Sequence, residues 1–201
     1  MKKLLFHPFE IIAGRTALIA GLLAILLTGA LCIPGNLHLD GVVDVHYGAA
    51  APAWFFIVQG FINWLSLAVL LLVAGKIVSR TAFRAIDVFG TTAFARWPFL
   101  IIALTALAVP AAEVQQYVEH TFMDQGPEPG ISAGHLVLFA VHLLLTIVLV
   151  VWAMVLSYRG YAVSCNVCGT RGIISFLIAL FLAEVLSKFL FYLLKNQFLM
   201  P

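Results

Sequence analysis

The chain has 201 residues, of which 63% are hydrophobic and 10% charged, and its formal net charge is +2. Soluble domains carry about 25% charged residues, so this composition excludes an ordinary soluble enzyme and a protein that binds nucleic acid through a basic surface. It indicates an integral membrane protein that contacts the lipid bilayer along most of its length.

Five apolar runs have the length, or nearly the length, that a membrane-spanning helix requires. A hydrocarbon core about 30 Å thick takes about 20 residues of helix. The third run is the shortest and has Pro110 near its end. The sequence therefore predicts a single all-α domain over residues 1–201, an integral membrane bundle of five transmembrane helices. The predicted spans are residues 16–33, 54–74, 97–112, 135–156 and 173–194.

The basic residues are distributed unevenly between the segments that connect these runs. Cytoplasmic segments of membrane proteins carry an excess of Lys and Arg. The pattern predicts a multi-pass protein of the inner (plasma) membrane, with a cytoplasmic N-terminus and the C-terminus outside. The basic segments contain Lys2, Lys3 and Arg15, then Lys76, Arg80, Arg84 and Arg96, then Arg159 and Arg171, whereas the other two connections hold only acidic charges, Asp40, Asp44, Glu113, Glu119, Asp124 and Glu128.

The basic segment after the second run has a helical spacing of its own. Lys76, Arg80, Arg84 and Asp87 follow one another at i, i+4, i+8 and i+11, which places them on one helical stripe. Such a stripe predicts a short interfacial helix whose Lys76, Arg80 and Arg84 contact anionic headgroups. The alternative is a cytoplasmic extension of the second span that bends at Gly90.

The two acidic connections are each about twenty residues long and contain Gly and Pro. Loops of that length without secondary structure are uncommon, so we expect a short helix on the membrane surface in each, with residues 113–120 as one candidate. The first connection also spaces His38, Asp40, Asp44 and His46 closely enough to bind a divalent metal, for which Glu119 and His120 could add ligands. This spacing matches no established metal motif, and we interpret the segment as a solvated acidic loop, with metal binding left open.

Two charged residues interrupt the fifth run. Glu184 precedes Lys188 by one helical turn, the favourable order for an intrahelical ion pair, and a charge at the bilayer centre costs about 3 kcal/mol. We interpret the two residues as a structural pair, with a proton or ion relay as the alternative.

Polar residues of other spans could face this pair. Gln59, Asn63 and Ser66 share one face of the second span, and a second polar face lies on the fourth span. Hydrogen bonding between helices is the usual role of such residues. The candidate polar core is Glu184, Lys188, His142, Asn63 and Gln59, and the polar face of the fourth span contains His135, His142 and Thr146.

Motifs that would indicate catalysis are missing from the sequence. Cys165 and Cys168 form one CxxC, whereas a structural zinc site needs four ligands, so we expect inert loop thiols, with a site shared between two copies as the alternative. There is no phosphate loop, GxSxG or HExxH. The sequence therefore predicts a protein that is not an enzyme and needs no cofactor.

Three places in the chain resemble a known family of membrane proteins. They are His7-Pro8-Phe9, the segment from Phe83 to Gly90 followed by Trp97-Pro98, and the segment from Val151 to Tyr161 followed by Arg171-Gly172. With five spans in matching order, the chain resembles the short bacterial form of the Yip family of Ypt/Rab-interacting membrane proteins. The resemblance implies a five-span fold and no established reaction, and it transfers no functional residues. The CxxC departs from the family pattern, and the long cytosolic N-terminal region of the eukaryotic members is missing.

These observations together predict a non-enzymatic membrane protein with a scaffold, assembly or membrane-organising role. Its expected partners are the bilayer and either another membrane protein or a second copy of the chain, and no nucleic acid. The alternative is a small transporter or ion-coupled permease that uses the Glu184–Lys188 polar core.

Overall fold

The computed structural model describes residues 8–123 and 130–198 and is mostly helical. Within these residues a short 3-10 helix, Pro8–Glu10, precedes seven α-helices and two short strands. These are α1 Gly14–Cys32, β1 Leu37–His38, β2 His46–Tyr47, α2 Ala53–Val78, α3 Ala85–Phe94, α4 Pro98–Ala106, α5 Ala111–Met123, α6 Ala133–Cys165 and α7 Gly169–Phe198.

In the described part of the chain, five helical stretches are long and apolar enough to cross a membrane, with α3 and α4 together forming the third, Ala85–Ala106. The predicted all-α bundle of five spans is therefore confirmed, and the protein is a multi-pass membrane protein. Most observed helices extend beyond the predicted runs because an α-helix continues through polar residues that end an apolar window. At 1.5 Å per residue, the 33 residues of α6 reach about 50 Å.

The third span, predicted at residues 97–112, overlaps that range but starts and ends earlier. It begins at Ala85, is interrupted before Pro98 and ends at Ala106. The apolar run begins late because α3 contains small and hydroxylic residues, and its Thr91 and Thr92 hydroxyls donate to main-chain carbonyls one turn back, on Asp87 and Val88. Arg96, which the charge pattern placed in a cytoplasmic segment, lies in the interruption and is only 4% exposed.

The predicted interfacial helix through Lys76, Arg80 and Arg84 is wrong. Helix α2 ends at Val78, residues 79–84 are not helical, and α3 packs on α1 inside the bundle. Gly90 permits this packing, because a Cβ there would collide with the Gly14 carbonyl oxygen. The three basic side chains are nevertheless exposed, so they remain available to headgroups without an amphipathic helix.

The two acidic connections differ in structure. Residues 34–52, which we call the hairpin segment, form no helix; β1 pairs antiparallel with β2, Leu37 opposite Tyr47 and His38 opposite His46. The hairpin segment enters the bundle, and its Leu37, Leu39 and Val42 are at most 3% exposed. The helix expected over residues 113–120 is confirmed as part of α5.

Contacts between connections define the two ends of the bundle. At one end, which we call the hairpin end, the hairpin segment meets the last third of α7, where Lys195 contacts Asp40. At the opposite end, Asn166 donates a hydrogen bond to Thr81 of the 79–84 connection. Helix α5, in the connection after the third span, contacts β2 at the hairpin end, so the described connections alternate between the two ends.

Candidate functional site

The polar face of α2 holds the main chain of the hairpin segment. The Gln59 Oε1 atom accepts a hydrogen bond from the Leu39 amide at 3.0 Å, and Asn63 donates one to the Leu39 carbonyl oxygen. Both side chains are fully buried, with Ser66 also buried on the same face. The predicted face is therefore real, and it binds backbone groups of a loop that sequence reasoning had treated as solvated.

His38 is fixed in one neutral tautomer by its two hydrogen bonds. Its Nε2 atom donates to the Ala49 carbonyl at 2.8 Å, so its Nδ1 atom must accept from the Gln59 amide nitrogen, 3.1 Å away. The ring packs on Phe56 with centroids 4.8 Å apart. Burial lowers the pKa of His38, which favours the same neutral form.

Glu184 contacts the hairpin segment as well as Lys188. Its Oε2 atom accepts a hydrogen bond from the Val43 amide at 3.0 Å, and its Oε1 atom lies 3.5 Å from the Lys188 ammonium. The backbone approaches so closely that a Cβ at Gly41 would collide with the carboxylate. Lys188 lies nearer to Asp44, at 2.6 Å, than to Glu184. The expected intrahelical pair is thus one part of a network that joins α7 to the hairpin segment.

Arg96 is the buried cation that the charge pattern assigned to a loop. Its Nη1 atom donates to the Val42 carbonyl at 3.3 Å, its guanidinium lies 4.4 Å from the centre of the Phe99 ring, and Glu184 attracts its charge. Within residues 8–123 and 130–198, the Nη2 atom of Arg96 and the Oδ1 atom of Asn63 have no hydrogen-bond partner. Two cavities of about 10 Å³ each border Arg96, and a space of that size holds about one water molecule.

A sequence signal for Arg96 exists, although the positive-inside pattern obscured it. No other charged residue occurs between Asp87 and Glu113, and Arg96 has apolar neighbours on both sides. An arginine this isolated in an apolar stretch is typical of a side chain that faces the interior of a helix bundle.

Charged side chains of the hairpin segment form a cluster at the mouth of the bundle. The His46 Nδ1 atom lies 3.3 Å from Asp40 and 3.7 Å from Asp44, and Lys195 lies 3.1 Å from Asp40. The Asp44 partner raises the pKa of His46, and His46, followed by Lys188, holds the pKa of Asp44 well below its usual range despite partial burial.

Three side chains of this cluster lie close enough together to share a metal ion, but lysine side chains already balance their negative charge. Ligand atoms of Asp40, Asp44 and His46 lie within 4.8 Å of one another. Lys188 and Lys195 already neutralise the two aspartates, so a divalent cation would have to displace both ammonium groups from their carboxylates. Glu119 and His120 are not among the grouped ligands. The donor set is therefore better suited to ion pairing than to metal binding.

His142 lies on the wall of a separate cavity. Its two ring nitrogens are 3.2 Å and 3.4 Å from the hydroxyls of Thr105 and Thr146, and its ring packs on Tyr47. His135, predicted on the same face, lies near the start of α6 and pairs with Glu113 at 2.6 Å. The structure therefore brings Glu184, Lys188, Asn63 and Gln59 together around the hairpin segment, and gives His142 a different set of neighbours.

The CxxC cysteines have different surroundings. Cys165 is buried against Gly75, whereas Cys168 is exposed, and both are free thiols. A Cβ at Gly75 would meet the Cys165 sulfur, so this cysteine serves the close packing of α2 on α6.

Comparisons of the chain with protein-family models, with curated proteins and with solved structures find no match.

Proposed function

We propose that this protein is a non-enzymatic membrane scaffold or assembly factor of the Yip-like type, which acts by presenting its hairpin end to a membrane-protein partner or to a second copy of the chain. The observation that carries this proposal is the engagement of the polar core by the protein's own backbone. Gln59 and Asn63 bind the Leu39 main chain, and Glu184 binds the Val43 amide.

A closed core supports scaffolding over transport for an electrostatic reason. A relay residue must exchange protons or ions with water, whereas Glu184 is already hydrogen-bonded and lies against Gly41. Breaking these contacts would strand buried polar groups, at about 1–3 kcal/mol each. The core therefore serves to hold the hairpin segment in a fixed shape that a partner can recognise.

The proposal includes an orientation in the inner membrane. The exposed Lys76, Arg80 and Arg84 lie at the end opposite the hairpin segment, where cytoplasmic basic residues meet anionic headgroups. In a Cys168→Ser background, which removes the exposed native cysteine, we expect an impermeant maleimide added to intact cells to label Ala50→Cys at the hairpin end and not Thr81→Cys. Labelling of Thr81→Cys alone would reverse the orientation.

Affinity capture with matched surface variants tests the scaffold role. Ala50 is exposed at the hairpin end, and Ala82 is exposed at the opposite end. We expect a defined partner, or a second tagged copy, to purify with the wild type and with Ala82→Arg, and to be lost with Ala50→Arg. Capture that is equal for both variants would contradict a binding surface at the hairpin end.

A second candidate function, ion-coupled transport, is favoured by one specific observation. The Arg96 Nη2 atom and the Asn63 Oδ1 atom have no hydrogen-bond partner among the described residues, and Arg96 borders two cavities of water size. Displacement of the hairpin segment would expose them as a polar path. Proton flux into proteoliposomes that is lost in Glu184→Gln would establish transport, and absence of flux in the folded wild type would reject it.

A further inference from the structure

A cavity of about 370 Å³ lies at the hairpin end, between the hairpin segment, α5 and α6. Ligand cavities in proteins typically range from about 300 to 1,000 Å³, so this one can hold a small organic molecule. Most of the lining side chains are apolar, among them Val118 and Phe139, whereas His46, Gln115 and Glu119 add polar groups. A ligand that fills the cavity must therefore be amphipathic.

Glu119 brings a negative charge without a counter-charge to the cavity wall. Its Oε1 atom accepts a hydrogen bond at 2.9 Å from the amide nitrogen of Gln115, one helical turn earlier on α5. Within residues 8–123 and 130–198, no Lys, Arg or His side chain forms an ion pair with this carboxylate. The side chain is half-buried. Gln115 thus holds in place a carboxylate that a cation in the cavity can neutralise.

The two histidines on the cavity wall already have partners. The His46 Nδ1 atom lies 3.3 Å from Asp40 and 3.7 Å from Asp44, outside the cavity lining. Both ring nitrogens of His142 lie within hydrogen-bonding distance of threonine hydroxyls. The charge that remains available to a ligand is therefore the negative charge of Glu119.

The remaining wall suits an apolar or aromatic group. Tyr47 and Phe139 both line the cavity, with their ring centroids 6.1 Å apart. An aromatic ring attracts a cation over its face. Leu143 also lines the cavity and is 47% exposed on the surface of α6 that faces the bilayer. The cavity therefore combines a site for positive charge with an apolar surface that continues into the acyl-chain region.

Charge complementarity selects one class of occupant. Glu119 would repel the carboxylate of a fatty acid. A neutral hydrocarbon would displace water from Glu119 and supply no partner in its place. A divalent metal ion would find too few ligands, because the described side chains that lie close enough to share one are Asp40, Asp44 and His46, without Glu119. An organic ammonium ion with an apolar body satisfies both kinds of wall.

We propose that this cavity binds a monovalent organic ammonium ion, whose charged group pairs with the Glu119 carboxylate while its apolar body packs against Val118 and Phe139. The site does not depend on the scaffold role, because the ligand binds the isolated protein. Loss of partner capture would leave this binding intact, so the failure of either proposal is distinguishable from the failure of the other.

Isothermal titration calorimetry of the full chain in phosphatidylcholine nanodiscs, with empty nanodiscs as the blank, tests the proposal. Phenylbutylamine, phenylbutanol and phenylbutyrate share one apolar body and are cationic, neutral and anionic at neutral pH. We expect one amine to bind per protein, about ten-fold more tightly than the alcohol, as expected for a charge-assisted hydrogen bond, and phenylbutyrate to bind most weakly. Equal affinities for the amine and the alcohol, or no saturable binding of the amine, would overturn the proposal without any variant.

Two variants of α5 test the role of the Glu119 charge. Glu119→Gln retains an oxygen that can accept the hydrogen bond from Gln115 and removes the charge, so it should bind the amine and the alcohol equally. Gln116 is exposed on the same helix and does not line the cavity. Adding Gln116→Glu to Glu119→Gln restores the net charge of the helix and should not restore the preference for the amine. A preference that survives in Glu119→Gln, or returns with Gln116→Glu, would overturn the pairing with Glu119.

Two tryptophan substitutions test the location. Val118→Trp should fill the cavity and weaken binding of the amine and the alcohol at least about ten-fold, because the apolar body loses its space. Gln116→Trp is the matched control and should bind like the wild type. Undiminished binding of the amine by a folded Val118→Trp variant would overturn the proposed site.

Discussion

Two contacts in this bundle achieve close approach by opposite means. Where α1 meets α3, glycines bring backbone against backbone: a Cβ at Gly21 would collide with the main chain of Ala93 and Phe94, and one at Gly90 with the Gly14 carbonyl. Where the hairpin segment meets α7, Gly41 instead brings backbone against the Glu184 carboxylate. The first contact has no atom that can move aside easily, whereas the second has a side chain that can rotate.

The difference reflects what holds each contact together. Helices in a bilayer gain little from the hydrophobic effect and associate through close packing of small residues, as α1 and α3 do. The hairpin segment carries unpaired main-chain groups into the bundle, and each of these must find a hydrogen bond. Gln59, Asn63 and Glu184 supply those bonds. Added side-chain volume should therefore lower the free energy of unfolding most at the first contact. At the second contact, the loss of a hydrogen bond or a charge should lower it most.

The largest effect is expected from adding one methyl group to the glycine contact. Gly90→Ala should lower the free energy of unfolding by about 3 kcal/mol, because its Cβ would meet fixed backbone. Gly134 is the matched control, since a Cβ there has, among the described residues, only Ser132 within 4 Å, at 3.9 Å. Gly134→Ala, in the first turn of α6, should change the free energy of unfolding by less than about 1 kcal/mol. Thermal unfolding in detergent measures both, and similar effects at the two sites would contradict the tight α1–α3 contact.

The next effect is expected at Glu184. Glu184→Leu leaves the Val43 amide without an acceptor and Arg96 without a nearby negative charge, at a cost of about 2 kcal/mol. Glu184→Gln keeps an acceptor oxygen and should cost less than Glu184→Leu. Adding Arg96→Met to Glu184→Leu should recover part of the loss, because an apolar pair replaces a stranded charge. Losses that simply add would show that the two residues are not coupled.

A smaller effect is expected for the exposed ion pair of the same contact. Lys188 is half exposed, with Asp44 as its nearest partner, so a double-mutant cycle with Lys188→Leu and Asp44→Asn should give a coupling energy of about 0.5 kcal/mol. A second cycle, with Asp87→Asn in place of Asp44→Asn, is the control and should give no coupling energy. A coupling of several kcal/mol would mean that the pair is shielded from water.

The smallest effect is a dependence on pH. Because Asp44 raises the pKa of His46, the stabilisation from His46 is complete below its unfolded value of 6.5 and is lost as the pH rises through the folded value. The wild type should exceed His46→Asn in melting temperature more at pH 5.5 than at pH 8.5. His38 behaves oppositely, since its lowered pKa gives stabilisation that is lost on acidification. A pH-independent difference for His46→Asn would mean that its ion pairs contribute nothing.

Sequence reasoning located four of the five spans, and part of the third, because apolar runs of helical length have few alternatives. It also located the polar face at Gln59, Asn63 and Ser66, because polar side chains at helical spacing within an apolar run must share an interior face. The position of the hairpin segment could not be obtained in this way. It depends on hydrogen bonds between residues 20 to 141 positions apart in the chain, which no local pattern encodes.

Arg96 shows where the charge pattern fails. The positive-inside rule counts every arginine between two runs as part of a loop, and the small residues of α3 lowered the apparent hydropathy of the span that contains it. His142 shows a different failure, because it was predicted to face the Glu184 polar core and does not. Helical spacing tells which residues share its face of α6. It does not tell which parts of the bundle that face packs against.

Cysteine accessibility tests most directly whether the hairpin segment lies inside the bundle. In a Cys168→Ser background, which removes the exposed native cysteine, two positions of the same segment are compared: Val42, which is 2% exposed, and Ala50, which is exposed. The structure predicts that an impermeant maleimide labels Ala50→Cys rapidly in membranes and labels Val42→Cys only after denaturation. Equal labelling rates in native membranes would contradict the placement of this segment between the helices.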